Sequence, residues 1–254
     1  MTGATALTAD PGNSPGSKLP VVRLTDAAFG WRPDRPILRI ADLTINAGER
    51  VFITGPSGSG KSTLLGLIGG VLTPSSGTVA VLGRSLGSLG AAQRDALRAA
   101  HIGFIFQLFN LLPYLSVIEN VVLPCRFSTK RRNRARAGGN DVVTEGSRLL
   151  ARLGLGDADF LHRPVTQLSI GQQQRVAAAR ALIGRPDLVI ADEPTSSLDT
   201  DARANFLELL MAECRTAGSA VVFVSHDRSL AGLFDRQVAL MDINQIPAQE
   251  TTDG

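Results

Sequence analysis

Cysteine is nearly absent. Cys125 and Cys214 are the only two in 254 residues. They lack metal-ligand spacing, and two lone thiols fit a reducing compartment. Aromatic residues make up 5% of the chain, with a single tryptophan and a single tyrosine, as in Ala/Leu/Val-rich α/β enzymes. The formal net charge is only +3, so no field for nucleic acid is implied. No window holds eighteen continuous apolar residues, which excludes a bilayer-spanning helix. Residues 1–20 lack a charged start followed by an apolar core, so they do not read as a secretory leader. Gly, Pro, Ser and Thr dominate them, and a disordered lead-in is expected. No internal repeat is found. What remains is a chain long enough to bury a large core, built as one α/β domain, alone or with a small subdomain.

The most informative stretch runs from Val51 to Thr63, Val-Phe-Ile-Thr-Gly-Pro-Ser-Gly-Ser-Gly-Lys-Ser-Thr. Val51 to Thr54 reads as a short buried strand. Gly55, Pro56, Ser57, Gly58, Ser59, Gly60, Lys61 and Ser62 then fit G-x-x-x-x-G-K-[ST], and Leu64, Leu65 and Leu67 begin a helix. Glycines let such a loop adopt conformations that a Cβ forbids. Its backbone N–H groups, together with the helix N-terminus, can then cradle phosphate oxygens. Lys61 is the point charge for the β and γ phosphates, and the Ser62 hydroxyl is a ligand for Mg²⁺.

Strands are expected over 21–29, 37–45, 78–82, 102–106, 188–191 and 220–224, and helices over 91–100, 117–123, 141–153 and 202–217. A turn containing Pro33 and Pro36 follows Trp31, and 73–77 is a second turn. Phe109-Asn-Leu-Leu-Pro-Tyr-Leu interrupts the α/β rhythm, so 108–168 is expected to be a small helical insert. Within it Lys130-Arg131-Arg132-Asn133-Arg134-Ala135-Arg136 reads as a solvated loop between two helices or as a contact for anionic lipid headgroups. Ser169 is a good cap for an alanine-rich helix. A last short helix and strand lead to a polar tail over 244–254.

Several expected strands end in polar residues: Gln107, Asp192 with Glu193, and His226. In open parallel sheets ligands sit at the carboxyl ends of strands. Asp192 suits a partner of Mg²⁺ and its waters. Glu193 is placed to orient or deprotonate an attacking water. His226 can donate to the γ-phosphate, and Gln107 can reach Mg²⁺ or that water. Trp31 could stack on an adenine face or simply fill a rim. Each of these alone has an ordinary structural explanation, and it is their order along the chain that points to ATP chemistry.

With those residues in place, the chain resembles the ATP-binding subunit of an ABC transporter over about residues 21–240, taken as an ATPase domain over 21–243. Gly55 to Ser62 matches its Walker A loop, Gln107 its Q-loop, Leu188 to Glu193 its Walker B strand with the catalytic glutamate, and His226 its switch histidine. Leu168-Ser169-Ile170-Gly171-Gln172 stands where the family has LSGGQ, with isoleucine in a glycine position. Ser196 to Asp199 matches the D-loop, and Trp31 the adenine-stacking aromatic. The resemblance implies an α/β fold: a P-loop NTPase core with a mainly parallel sheet, an N-terminal antiparallel β portion and an inserted α-helical subdomain. It also implies an ATPase whose two copies close head to tail on two ATP with Mg²⁺. Walker A, through Thr63, of one copy would face Ser169, Gly171, Gln172 and Asp199 of the other. The implied partner is a membrane permease, contacted through a groove near Gln107, with the subunit peripheral on the cytoplasmic face of the inner membrane. Phe109-Asn-Leu-Leu-Pro and Ile118-Glu-Asn-Val-Val-Leu-Pro resemble the lipoprotein-release and macrolide-export ATPases, an exporter-like, force-transmitting group. The alternative is a signalling clamp on a membrane partner with no transported substrate. A P-loop protein of DNA repair or translation fits less well, because the insert is short and the chain holds one cassette.

Overall fold

A computed structural model describes residues 20–246 apart from Pro33 and Ser197. The expected lead-in before Pro20, Pro33 of the first turn, Ser197 of the Ser196–Asp199 stretch and the tail beyond Ile246 lie outside the described residues. In chain order come β1 (Pro20–Phe29), β2 (Leu38–Asn46), β3 (Arg50–Thr54), α1 (Lys61–Ile68), β4 (Ser76–Val81), β5 (Arg84–Ser85), α2 (Ala91–His101) and β6 (Ile102–Ile105). Four helices follow, α3 (Val117–Val122), α4 (Pro124–Phe127), α5 (Thr129–Ala135) and α6 (Val142–Arg152), and then α7 (Ile170–Leu182). The chain closes with β7 (Leu188–Asp192), α8 (Thr200–Ala217), β8 (Ala220–Val224), β9 (Arg236–Ala239) and α9 (Leu240–Ile243).

The strands form two sheets. One is antiparallel, in the order β2-β1-β4-β5. The other is parallel, in the order β6-β7-β8-β3-β9. Side chains alternate across a strand, and in the parallel sheet that alternation sorts them into two cores. Val51, Ile53, Leu188, Ile190, Val222 and Val224 face α1 and the antiparallel sheet. Phe52, Val189, Ala191, Val221 and Phe223 face α3, α6, α7 and α8. A strand buried on both faces must be apolar throughout, which is why Val51–Thr54 and Ala220–Val224 read as unbroken hydrophobic runs. All five strands point the same way, so β6, β7, β8 and β3 deliver their C-terminal residues to one edge.

The basic run is not the expected loop. It is helix α5, capped by Ser128, whose hydroxyl accepts from Arg131 N. Arg131 is 2% exposed. Its guanidinium donates to the carbonyls of Ile183 (2.7 Å), Ile102 (3.3 Å) and Ala181 (2.5 Å), and burial pushes its pKa down to about 10. Arg134 donates to Arg185 O and to both carboxylate oxygens of Asp187. The run thus pins the helical insert to the start of β6 and the end of α7. Asn244, expected to open the tail, is also tied down. Its amide oxygen accepts from Arg39 N at 2.9 Å and its amide nitrogen donates to Ile37 O at 3.1 Å. Two smaller differences concern boundaries: β4 begins at Ser76, inside the expected turn, and α9 was not anticipated.

Candidate nucleotide site

The loop after β3 sets the site's geometry. Gly58 and Gly60 have φ of 76° and 97°, values that an L side chain rarely takes. At Gly60 a Cβ would also sit 2.9 Å from a Leu38 methyl. These turns start α1 directly behind the loop and bring Lys61 inward, where it is buried. Its ammonium donates to Gly55 O at 2.9 Å and Pro56 O at 2.8 Å. An ammonium has three donors, so one is left for a ligand. Burial pushes the Lys61 pKa down, and the nearby Glu193 and Asp192 carboxylates pull it back up.

Beside the loop is a cleft of about 410 Å³ lined by Ile37, Ser57, Gly58, Gly60, Lys61, Ser62, Thr63, Gln107, Asp192, Glu193 and His226. Residues from the ends of β3, β6, β7 and β8 therefore meet in one place. Ser62 Oγ donates to Asp192 Oδ2 at 3.0 Å, which gives two hard oxygen ligands side by side. Among the described residues no cluster of three or more His, Cys, Asp or Glu could hold a metal. The donor set suits a cation such as Mg²⁺, which takes few protein ligands and completes its shell with phosphate and water. Glu193 is buried, with a left-handed φ of 47°, a backbone state a non-glycine residue keeps only when its surroundings enforce it. Its N–H donates to Val224 O at 3.0 Å, and its Oε1 lies 2.5 Å from His226 Nε2. Burial pushes its carboxyl pKa up, against the pull of His226 and Lys61. A carboxylate with a raised pKa next to an imidazole is equipped to move a proton.

A second group of sequence candidates does not line the cleft. Ser169 caps α7: its Oγ accepts from Gln172 N at 3.3 Å, and Gln172 Oε1 accepts from Ser169 N at 2.9 Å. Ser169 and Ile170 are exposed, and Gly171 and Gln172 half-buried. Asp199 caps α8, accepting from Ala202 N at 2.8 Å. Trp31 is 69% exposed and stands edge-on to Phe29, 5.2 Å between centroids. Pro56 is exposed and Gly55 half-buried. Ser59 is buried, with its Oγ unpaired among the described residues. Sequence reading missed Arg180, which donates to Phe109 O (2.5 Å) and Asn110 O (2.7 Å). Those two residues have left-handed φ of 60° and 49° just after Gln107. Asparagine is a residue that tolerates this conformation, so Asn110 carries a sign of it, whereas Phe109 carries none.

Residues 38–196 match the family model described as ABC transporter. The chain belongs to the ABC transporter family. It is an ATP-binding subunit of that family and an ATPase, with the α/β cassette fold of its relatives. It is 43% identical over 204 residues to the lipoprotein-releasing system ATP-binding protein LolD of Psychrobacter arcticus, covering 80% of this chain and 87% of that one. To LolD of Anaeromyxobacter dehalogenans the identity is 46% over 207 residues, with 82% and 83% covered. To the macrolide export ATP-binding/permease protein MacB of Rhodopseudomonas palustris it is 45% over 205 residues, 81% of this chain but only 30% of that longer protein. Among solved structures, an ATP-binding cassette dimer in a post-hydrolysis state with ADP and phosphate superposes with a TM-score of 0.72 at 35% identity, covering 86% of this chain and 93% of that one. No described helix of this ABC subunit is long and apolar enough to cross a membrane.

Proposed function

We propose that the chain closes head to tail with a second copy of itself on two Mg-ATP, and that closure and reopening drive a partner membrane permease. The observation that carries this reading is the division of the site. The phosphate loop, Gln107, Asp192, Glu193 and His226 line one cleft, while Ser169, Gly171 and Gln172 start α7 outside it. A helix start with exposed N–H donors favours an anion, and a second copy could bring one to the open side of the cleft.

In this reading the backbone N–H groups from Gly55 to Thr63 hold the phosphates, with Lys61 neutralising β and γ oxygens. Ser62 and Asp192 hold Mg²⁺ with Gln107 in reach; the ion, when bound, screens charge on the transferring phosphoryl group. Glu193 takes the proton of the attacking water, and His226 orients Glu193 and donates to the γ-phosphate. Trp31, exposed beside Phe29, stacks on adenine. Asp199 contacts the opposite copy's site. The permease docks in the groove of about 660 Å³ walled by Phe104, Phe106, Phe127 and Val71, of which Phe127 and Val71 are largely exposed. The relatives are named for lipoprotein release and macrolide export, which favours an exporter-like, force-transmitting partner. The subunit would then sit on the cytoplasmic face of the inner membrane, touching it only through the permease.

The test is Glu193→Gln, which keeps shape and removes the base. ATP binding should persist, hydrolysis should drop by about 10²-fold or more, and gel filtration with ATP and Mg²⁺ should show a stable dimer. A variant that stays monomeric, or that turns over at the parental rate, would overturn the role given to Glu193.

A further inference from the structure

We propose that Arg203 is a positioning residue for the reaction: it ties the loop after β7 to the turn carrying His226, so that seating that loop sets the His226–Glu193 contact. This rests on the nucleotide reading above and adds a residue to it. His226 lies between β8 and a short 3-10 helix, Arg228–Leu233, that Asp227 caps. The turn is stitched internally: Asp227 N donates to Ser225 Oγ at 3.2 Å, and the Asp227 carboxylate accepts from Ser229 N at 3.0 Å and Ser229 Oγ at 2.6 Å. Those bonds shape the turn, and the Ser225 N–H to Ile53 O bond at 3.4 Å and buried Leu230 hold its two ends, but none of them ties Asp227 to the loop after β7.

Arg203, in the first turns of α8, does. One terminal nitrogen of its guanidinium donates to Asp227 Oδ2. The other donates to Leu198 O at 3.0 Å. A guanidinium is planar and its donors have fixed directions, so one group gripping both sites fixes their relative position. Its Nε is buried and has no partner among the described residues. An unpaired buried donor is uncommon, and here it is what the fork concedes in order to reach both loops. Leu198 in turn neighbours the start of α7: a Cβ placed on Gly171 would be 3.5 Å from a Leu198 methyl. A path of hydrogen bonds therefore runs from Leu198, which neighbours Gly171, through Arg203 to Asp227, the residue next to His226. In the closed dimer the Gly171 and Asp199 ends of this path face the other copy, and Arg203 passes their seating to the catalytic pair.

The experiment uses the full chain, with ATP affinity measured by equilibrium titration and steady-state Mg-ATPase measured as kcat and KM. Arg203→Gln should lower kcat by about 10-fold while ATP affinity and KM stay within about twofold. Arg203→Lys, which keeps the charge but can grip only one loop, should recover part of the loss. Asp227→Asn should resemble Arg203→Gln, and the double variant should be no worse than either single one. In a His226→Ala background, Arg203→Gln should cost nothing further. A parent chain that binds no ATP overturns the nucleotide reading and this inference with it. If the parent binds and hydrolyses ATP, the inference alone falls in any of three cases. These are that Arg203→Gln keeps its kcat, that the Arg203 and Asp227 losses add in full, or that every variant, Lys included, loses ATP binding in step with turnover.

Discussion

The cleft beside the phosphate loop and the start of α7 are both built to meet phosphate, yet they are opposites in construction. In the cleft the groups are already engaged with one another, buried Lys61 with two carbonyls, exposed Ser62 with half-buried Asp192, and buried Glu193 with exposed His226. At the start of α7 the groups are exposed or half-buried, and the side chains only cap their own helix. Preorganisation costs stability at a left-handed Glu193 and at a buried Lys61 whose ammonium is held only by neutral carbonyls, and the strands around them must hold both in place. The α7 start carries no such strain. The contrast fits a site in which one surface does the binding and the other arrives late, and the two should fail differently when altered.

The sharpest way to break the comparison is to damage each side in turn. Lys61→Ala removes the phosphate charge partner from the cleft, and both ATP affinity and hydrolysis should fall by about 10²-fold or more, an estimate from the strength of charge-assisted contacts. Ser169→Arg or Gly171→Asp places bulk or negative charge at the α7 start. Each should abolish hydrolysis while leaving ATP binding to the isolated chain nearly intact. Equilibrium titration beside steady-state ATPase separates the two patterns. Loss of binding in Gly171→Asp would mean that the α7 start is already part of the one-chain site.

A smaller effect comes from pH and concerns the cleft alone. Burial raises the Glu193 pKa. A base works only when ionised, so the rate should fall as pH drops through that raised value. The acid limb of kcat should therefore lie above the ordinary glutamate range near 4.3. Glu193→Gln should leave a residual rate that is flat over the same interval, and a limb unchanged by that substitution would assign it to another group.

The same contrast governs what could be read from sequence. Cleft residues follow buried parallel strands, whose continuous apolar runs are distinctive and whose ends are forced to one edge, so Gln107, Asp192, Glu193 and His226 were legible together with Lys61. The parts that were not legible depend on tertiary partners. A string of arginines gives no sign that Arg131 will turn inward, because the carbonyls of Ile102, Ala181 and Ile183 that receive it belong to other elements. Arg203 and Arg180 are hidden for the same reason: each looks like one more charge on an amphipathic helix until the loop carbonyls it grips are in place. Trp31 is placed by neither argument, since spacing located it near the phosphate loop and the structure leaves it exposed on Phe29.

The smallest expected effect sits at the one position where the α7 start departs from its family's pattern. Ile170 occupies a place where glycine is usual. A glycine requirement has two physical sources, a left-handed backbone or a backbone approach too close for a Cβ. Ile170 is the first residue of α7 and is not among the non-glycine residues with positive φ, so the first source is missing. Its side chain is 55% exposed, so within one chain nothing crowds it. The groups that would face a phosphate are Ser169 Oγ and the Gly171 N–H, both present at the helix's positive end. Ile170→Gly should therefore change the ATPase rate only a few-fold. It should also loosen the first turn of α7 by about 0.5–1 kcal/mol, the usual cost of glycine inside a helix. The rate is best measured with the permease present, so that weak dimerisation of the isolated subunit does not mask it. A rise of about 10²-fold in Ile170→Gly would show that the isoleucine obstructs the closed state, and that this chain's α7 start differs from the cleft in competence as well as in construction.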